Sequence, residues 1–170
     1  LRAGIVRAIG EPERRFAEDH LRMLRAVRFA TRFGFRLDEA TAGAIKTHAQ
    51  QITRISPERI REELEKMFAH PSRAESLRMM ADLGLLAHLW PGSDWPPDRV
   101  ERAYAVLREL PPAADFVLAC GALLSECSAS QLEEIGRALR CSNQQIADVI
   151  WLVASQGTLA DPFLPDASLK

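Results

Sequence analysis

Apolar residues recur every three to four positions along most of the chain, which is the spacing of an amphipathic α-helix. The alternation of β-branched and polar residues that marks a half-buried strand is missing from every segment of the sequence. We therefore predict an all-α fold, built as a multi-helical array. The first ten residues fit neither pattern, and the breaker sequence Gly10-Glu11-Pro12 separates them from the first long helix.

The first long helix is predicted to be continuous over about residues 14–32 and to end at Gly34, because glycine favours the left-handed cap conformation. Three N-cap residues, Asp38, Ser56 and Ser72, mark the next helix starts. The later helices are predicted over these ranges: 38–50, 56–69, 72–84, 85–89, 98–110, 113–126, 131–140 and 143–155.

Residues 90–97 are rich in proline and glycine, which is typical of a connection between structural units. The charge balance changes sign near this segment. Residues 1–80 hold 16 Lys and Arg against 11 Asp and Glu, whereas residues 81–170 hold 6 against 12. We therefore expect a domain boundary here, with one domain over residues 1–92 and a second over residues 93–170.

Polar residues also mark helix starts in the second predicted domain. Ser130 and Glu133 have the spacing of a capping box, in which each side chain bonds the other residue's backbone N–H. Ser142 is expected to cap the last helix, and residues 158–170 are expected to form a frayed tail.

Length and composition are those of an ordinary globular protein. The 170 residues are 47% hydrophobic and 26% charged, and no stretch approaches the roughly 20 apolar residues that span a bilayer. We therefore expect a soluble protein with no membrane partner. The chain begins with Leu1 rather than methionine, so we expect it to be part of a longer parent.

Cysteine, histidine and tryptophan offer little chemistry in this sequence. Cys120, Cys127 and Cys141 form no C-x-x-C pair, so we expect reduced thiols in a cytoplasmic protein, with Cys120 and Cys127 buried in apolar helices. The four histidines lack ligand spacing, so we expect no metal site and no catalytic residue in the chain. Stacking on RNA bases is one use for the tryptophans, and packing in the core or at a hinge is the favoured one; they are Trp90, Trp95 and Trp151.

Charged side chains are concentrated on the polar face of the first long helix. On a continuous helix, Arg15, Glu18, Asp19 and Arg22 fall within roughly 80° of arc, and both carboxylates are spaced to meet Arg22. One interpretation is a solvated stripe of ion pairs. The other is a site that reads a nucleobase, because a carboxylate accepts from an exocyclic amine while a guanidinium donates to ring nitrogens or carbonyls.

More arginines follow along the same helix. Arg25, Arg28 and Arg32 continue toward one flank, where they either meet phosphates or line a wet face. Arginine supplies 19 of the 22 basic residues, and its planar fork suits phosphates and base edges. The alternative explanation is replacement of lysine by arginine in a high-GC genome, and only the positions of these arginines in the structure can decide between the two.

Two segments resemble a known family, the class II tRNA nucleotidyltransferases, which are the CCA-adding enzymes, and the closely similar bacterial poly(A) polymerases. Residues 9–29 (IGEPERRFAEDHLRMLRAVRF) resemble the first motif of that family's neck, the helical segment that follows its catalytic head. Residues 56–64 (SPERIREEL) resemble the next neck motif. The resemblance covers about residues 5–90 and fades to general helical character beyond them.

The resemblance implies a role for individual residues. In the family, a Glu-Asp-x-x-Arg motif acts as a protein template, in which the aspartate and arginine hydrogen-bond the Watson–Crick edge of incoming CTP or ATP. By this similarity Asp19 and Arg22 would read the base, and Glu18 would hold Arg22. The expected nucleotide-binding residues are Glu18, Asp19, Arg22 and Arg25, and the expected RNA-binding and phosphate-binding residues are Arg15, Arg28 and Arg32. Residues 56–64 would buttress the neck.

The resemblance also implies chemistry that this sequence does not supply. The family's head carries an Asp-x-Asp strand that binds two Mg²⁺ ions and an Arg-Arg-Asp motif that selects ribose, and neither motif occurs here. Phosphoryl transfer needs such metal ions to stabilise charge. We therefore expect this segment to be inactive alone and to supply specificity, with tRNA, CTP or ATP and the parent's own head domain as its partners.

Three readings stay open at this point: CCA addition, poly(A) addition, and a stand-alone helical RNA-binding module without catalysis. The base-reading residues do not separate the first two. Residues 81–170 carry a net negative charge, which argues against RNA binding by that half. We therefore expect tRNA to contact mainly the front half or a local basic patch.

Overall fold

A computed structural model describes residues 4–90 and 94–159 of the chain, with side chains described as far as Gln156. Over these residues almost all of the regular secondary structure is helical, which confirms the all-α prediction. The described helices are α1 (Pro12–Glu18), α2 (Leu21–Phe33), α3 (Glu39–His48), α4 (Pro57–Phe68), α5 (Arg73–Asp82), α6 (Leu86–Leu89), α7 (Pro97–Glu109), α8 (Phe116–Leu123), α9 (Ala129–Ala138) and α10 (Asn143–Leu159). A 3₁₀ turn over Ala49–Arg54 follows α3.

One short strand pair departs from the sequence prediction. Strands β1 (Ile5–Val6) and β2 (Arg36–Leu37) lie side by side in parallel. Gly34 ends α2 in the left-handed conformation, with φ of 64°, and thereby turns the chain back beside β1. Two-residue strands are too short to show an alternating pattern, so they could not be predicted from the sequence.

The predicted continuous helix over residues 14–32 is wrong, because the structure divides it into α1 and α2. The backbone of Asp19 is extended, with φ of −154° and ψ of 101°, and ends α1. The Asp19 Oδ1 atom then accepts from the backbone N–H of Leu21 at 3.1 Å, at the start of α2. An aspartate side chain that accepts from the backbone N–H two residues later competes with the helical hydrogen bonds, and here it interrupts the helix.

Helix α2 lies at the centre of the first half of the molecule. Its residues Met23, Leu24 and Val27 are fully buried, and the helix packs against α4 and α5. A buried hydrogen bond of 2.8 Å joins the hydroxyls of Thr31 in α2 and Ser76 in α5. Burial on this scale fixes the position of α2, and with it the polar residues on the opposite side.

The caps of the early helices follow the predicted positions. The Asp38 side chain accepts from the backbone N–H of Thr41 at the start of α3. Ser56 and Ser72 occupy the N-cap positions of α4 and α5, but their side chains make no capping hydrogen bond. At α4 the first helical position holds Pro57, which gives up no hydrogen bond there.

Helices α7 to α10 form the second half of the described chain. The predicted helix over residues 113–126 is shorter than expected, because Asp115 caps α8 through the backbone N–H of Leu118. The capping box lies at Ser128 and Gln131, so the prediction for Ser130 and Glu133 is wrong. Serine at position 128 occupies the extended cap position, whereas Ser130 is already inside α9.

The last helix confirms one cap and extends beyond its predicted end. Ser142 caps α10 by accepting from the backbone N–H of Gln145 at 3.1 Å. Helix α10 continues to Leu159, and most of the predicted frayed tail lies outside the described residues.

The buried residues of the two halves form one contiguous cluster. Trp90 is 2% exposed and packs against Phe68 of α4 and against Trp95. Buried residues of α7, α8 and α9 continue the same cluster. The domain boundary between residues 92 and 93 stays a prediction.

Cysteine and tryptophan positions largely follow expectation. Cys120 and Cys127 are buried as free thiols, and burial raises the pKa of Cys120 well above its usual range. Trp90 and Trp95 pack in or against the core. Trp151 is 65% exposed on α10, so the packing prediction is wrong for this residue. Within residues 4–90 and 94–159, no helix combines the length and apolar character needed to cross a membrane.

Candidate functional site

Arg22, near the start of α2, is held from one side by α1. Its Nη1 donates to Glu18 Oε2 at 2.8 Å and to the carbonyl oxygen of Arg15 at 2.9 Å. Its Nε and Nη2 atoms donate to no acceptor within the described part of the chain. A guanidinium fixed on one edge, with donors left on the other, is suited to a flat polar ligand.

Glu18 joins the arginines of α1 and α2. Its Oε2 accepts from Arg15 Nη1 and from Arg22 Nη1, each at 2.8 Å. The hydrogen bond from Arg22 is the largest cause that holds the pKa of Glu18 below its ordinary value, and the charge of Arg15 adds to it. The predicted Glu18–Arg22 contact is therefore formed, although α1 and α2 are separate helices.

Asp19 does not meet Arg22 through its side chain, in contrast to the predicted ion pair. The helix break turns its carboxylate toward α4, where Arg59 Nη2 lies 3.4 Å from Oδ1 and 3.2 Å from Oδ2. The two residues stay neighbours through the backbone, because the N–H of Arg22 donates to the carbonyl oxygen of Asp19 at 3.1 Å. Asp19 keeps 24% of its side chain exposed.

A cavity of about 310 Å³ lies beside Arg22, between β1, α1 and α2. Arg15, Arg22 and Arg25 supply positive charge to its wall. Phe16, Ala26 and Phe29 supply apolar surface on the same wall. An apolar wall beside several guanidinium groups fits a flat aromatic ring that carries an anionic group.

Arg25 and Arg28 share a buried carboxylate on α4. Glu63 is 2% exposed, and its oxygens accept from Arg28 Nε at 2.8 Å and from Arg25 Nε at 3.4 Å. Lys66 Nζ lies 3.5 Å from the same carboxylate. Burial raises the pKa of Glu63, but the hydrogen bond and charge of Arg28 and the nearby cations outweigh it and leave the pKa below its ordinary value.

The predicted phosphate-binding arginines therefore lie in different surroundings. Arg28 is only 14% exposed and serves Glu63, whereas Arg25 is 47% exposed and also reaches the cavity wall. Arg15 reaches the same wall. Arg32 lies exposed near the end of α2. Contact with phosphate stays a prediction for all of them.

Two residues of the site, Arg59 and Glu63, were not predicted from the sequence. Both belong to the segment that resembles the family's second neck motif, and they are four residues apart on one face of α4. Ile60 and Leu64 on that helix are buried, which indicates that α4 faces α2. Arg59 and Glu63 are each one position before a buried apolar residue, Ile60 or Leu64. This spacing puts both charged residues beside the buried face of α4, and it is the sequence signal that could have found them.

Comparison with known proteins gives consistent matches. Residues 34–95 match the family described as "Probable RNA and SrmB- binding site of polymerase A". The CCA-adding enzyme of Lactobacillus gasseri is 32% identical over 149 residues, which cover 86% of this chain and 37% of that enzyme. The CCA-adding enzyme of Geobacillus stearothermophilus is 46% identical over 89 residues, or 52% of this chain and 22% of the enzyme.

Solved structures agree with the sequence matches. The Thermotoga maritima CCA-adding enzyme complexed with tRNA(CCA) aligns with a TM-score of 0.75 and 25% identity, over 93% of this chain and 40% of that one. A CCA-adding enzyme in complex with CTP aligns with a TM-score of 0.74 and 25% identity, over the same shares of the two chains.

The fold is thus similar to a helical part of the solved CCA-adding enzymes, and the arginine-rich cavity lies at the junction of its first two helices. The chain belongs to the CCA-adding enzyme and poly(A) polymerase-like family and covers its neck and body region. It spans 22% and 37% of the length of the two curated relatives named above.

Proposed function

We propose that the chain is the neck and body of a tRNA nucleotidyltransferase that adds CCA, or C or A alone, to tRNA 3′ ends. The observation that carries the proposal is the guanidinium of Arg22, which is fixed on one edge, has donors on the other edge that meet no acceptor among the described residues, and lies beside Asp19 and a cationic cavity. These residues occupy the positions of the family's Glu-Asp-x-x-Arg motif. In this proposal the segment binds tRNA and selects the incoming nucleotide.

Base selection follows from the hydrogen-bonding edges of the four bases. Cytosine and adenine each present an exocyclic amine next to a ring nitrogen that accepts. Asp19 accepts from that amine, and Arg22 donates to the ring nitrogen or to an adjacent carbonyl. Uracil and guanine present a carbonyl and a ring N–H at the same places, so acceptor faces acceptor and donor faces donor. Such mismatches leave polar groups unpaired, which is costly in a partly closed site.

Glu18 and Arg15 prepare Arg22 for this role. Their two acceptor atoms fix the guanidinium before the nucleotide arrives, so less side-chain entropy is lost on binding. Arg25 lies on the wall of the same cavity, and we propose that it meets the nucleotide's anionic part. The selection site is thus assembled across α1 and α2.

RNA binding is proposed for the arginine-rich front half, through phosphates rather than base edges. Arg32 is exposed and belongs to this set, together with Arg15 and Arg28. Phosphoryl transfer is proposed to take place in a head domain of the full-length protein, where carboxylates would hold Mg²⁺. Within the described residues, no group of three or more His, Cys, Asp or Glu could hold a metal ion.

The proposal is tested by the Asp19→Ala substitution in the full-length protein. We expect the ratio of kcat/KM for CTP over UTP, and for ATP over GTP, to fall by about 10- to 100-fold, because one base contact carries roughly 1–3 kcal/mol of discrimination. Asp98→Ala, which removes an exposed carboxylate paired with Arg102 on α7, is the matched control and should keep both ratios. Unchanged ratios in Asp19→Ala would refute the assignment.

Poly(A) addition is the second candidate, because the matching family description names polymerase A. The same base-reading residues serve both reactions, so the product distinguishes them. A homopolymer of adenosines on the RNA substrate would favour this candidate over CCA addition.

A further inference from the structure

We propose that Arg59 of α4 is a positioning residue that fixes the carboxylate of Asp19 for base selection. The inference rests on the proposed function, because it assigns a partner to one of the two base-reading residues. Arg59 touches neither base nor phosphate in this scheme and acts only through Asp19.

Asp19 is constrained from two directions. Its backbone is extended between α1 and α2, and its Oδ1 accepts from the N–H of Leu21 at 3.1 Å. Arg59 Nη2 spans the two carboxylate oxygens, at 3.4 Å from Oδ1 and 3.2 Å from Oδ2. Together these contacts fix the plane of the carboxylate.

Arg59 is brought to this place by the packing of α4. The helix begins at Pro57, so Arg59 lies in its first turn, close to the break between α1 and α2. Ile60, the next residue, is buried at 7% exposure and anchors that turn in the core. Arg59 makes no other hydrogen bond or ion pair within the described part of the chain.

The contacts leave room for a ligand on Asp19. A carboxylate offers about four acceptor positions on its two oxygens, and Leu21 and Arg59 use only part of them. Asp19 is 24% exposed, so an acceptor position remains open to an approaching amine. A carboxylate fixed by Arg59 presents that position in one direction, whereas a freely rotating carboxylate presents it in many.

The two base-reading residues are therefore held by different helices. Arg22 is fixed by Glu18 and Arg15 of α1, and Asp19 is fixed by Arg59 of α4. Loss of Arg59 should leave Arg22 in place and allow only the Asp19 carboxylate, which accepts from the base, to take several orientations. This predicts weaker rejection of uracil and guanine without loss of nucleotide incorporation.

The test uses Arg59→Ala and Arg59→Lys in the full-length protein, with two nucleotides competing for the same tRNA. We expect the kcat/KM ratio for CTP over UTP to fall by about three- to tenfold in Arg59→Ala, the effect of one partly exposed charged contact. Arg59→Lys should recover part of the ratio, because its ammonium keeps the positive charge and can donate to the carboxylate but lacks the planar, directed donors of the guanidinium. Effects on tRNA affinity cancel in the ratio, so a merely structural or RNA-binding role would not change it.

Arg137→Ala is the matched control, since it removes another exposed arginine with a single carboxylate partner, Glu133, at 2.9 Å. It should keep the wild-type ratio. Both alanine variants should unfold within about 3 °C of the wild-type midpoint, as expected for surface ion pairs. A larger drop in the unfolding midpoint of Arg59→Ala would mean that Arg59 supports the fold. In that case the CTP-over-UTP ratio of Arg59→Lys tests the inference: a reduced ratio supports it and a wild-type ratio overturns it.

The double variant Asp19→Ala with Arg59→Ala separates this inference from the function on which it rests. If Arg59 acts through Asp19, the double variant has the same ratio as Asp19→Ala alone. If Asp19→Ala loses selection while Arg59→Ala and Arg59→Lys keep it, the inference is overturned and the proposed function stands. If Asp19→Ala itself keeps selection, the proposed function fails.

Discussion

Individual side chains in this molecule owe their positions to a few strong local contacts. Arg22 is held through one nitrogen by Glu18 and by the carbonyl of Arg15, which leaves a defined set of donors for a ligand. Glu63 is buried and holds Arg28 and Arg25 on the outer part of α2. At the residue scale, the site consists of guanidinium groups whose directions are set by carboxylates.

Arg22→Lys should behave as a severe change, although it conserves charge. An ammonium is a point donor and cannot make the paired contact with Glu18, Arg15 and a base edge at once. We expect selection of CTP over UTP to fall by about tenfold, in line with loss of one base contact. Wild-type selection by Arg22→Lys, measured with competing nucleotides, would count against the role of Arg22.

Glu63→Gln tests the buried carboxylate by its pH dependence. The pKa of Glu63 is lower in the folded protein than its ordinary value of 4.5, so its stabilising contribution is present above that value and is lost as the pH falls through the folded pKa. We therefore expect wild type to exceed Glu63→Gln in unfolding free energy by about 1–3 kcal/mol at pH 7. The difference should shrink toward pH 3.

The measurement is urea unfolding of both proteins at several pH values. Glu62→Gln, on the exposed face of the same helix, is the control and should track wild type throughout. A difference between wild type and Glu63→Gln that stays constant from pH 7 to pH 3 would contradict the assigned contacts.

Helix packing in the second half depends on close approach between elements. A Cβ atom added at Gly136 of α9 would lie 2.5 Å from Ile146 Cγ1 of α10, far inside van der Waals contact. Buried Arg73 of α5 supplies another link, because its guanidinium donates to carbonyl oxygens of Pro111 and Pro112 in the connection before α8. Single residues therefore determine how neighbouring helices meet.

Gly136→Ala should destabilise the protein, whereas Gly43→Ala should not. The first substitution forces α9 and α10 apart, at a cost of about 1–3 kcal/mol for an overpacked contact. Gly43 lies inside α3 with no heavy atom within 4 Å of an added Cβ, so alanine there should stabilise by about 0.5–1 kcal/mol through helix propensity. Thermal or urea unfolding measures both, and equal effects of the two variants would contradict the α9–α10 packing.

Positive and negative charge are distributed unequally between the two halves of the sequence. Residues 1–80 carry 16 Lys and Arg against 11 Asp and Glu, and residues 81–170 carry 6 against 12. In the proposed function, an RNA partner is attracted to the basic first half of the chain, which includes the cavity lining and the exposed Arg32. This division predicts that RNA contacts are concentrated in the first half.

Arg32→Ala should weaken binding of a tRNA acceptor minihelix and reduce its salt dependence. Loss of one phosphate contact lowers the slope of log affinity against log salt concentration by about 0.9. Fluorescence anisotropy at several salt concentrations measures the slope. Arg137→Ala in the acidic half is the control and should leave it unchanged, whereas equal losses in both variants would argue against an RNA-binding front half.

Sequence patterns predicted much of this fold because the signals that start, continue and end a helix lie within a few residues of one another. The caps at Asp38 and Ser142, the proline at position 57 and the apolar spacing of α2 all act within a few residues. The break at Asp19 was missed because the same spacing of apolar residues continues on both sides of it. Only the tendency of an aspartate side chain to bond a nearby backbone N–H indicated the end of α1.

The candidate site was predictable in part, for a similar reason. The contact between Glu18 and Arg22 is local and follows from their spacing. Arg59 meets Asp19 across 40 residues of sequence, and Glu63 meets Arg28 across 35. Such contacts depend on how α4 packs against α2, and a helical pattern does not report which helices are neighbours.

Nucleotide incorporation by the full-length protein is the most direct test of the proposed function. The substrate is a tRNA that lacks its 3′ CCA, offered CTP alone, ATP alone, both, or UTP and GTP. We predict two cytidines followed by one adenosine when CTP and ATP are both present, and no incorporation of uridine or guanosine. A folded full-length protein that binds the tRNA but incorporates no nucleotide would contradict the proposal and identify a non-catalytic RNA-binding module.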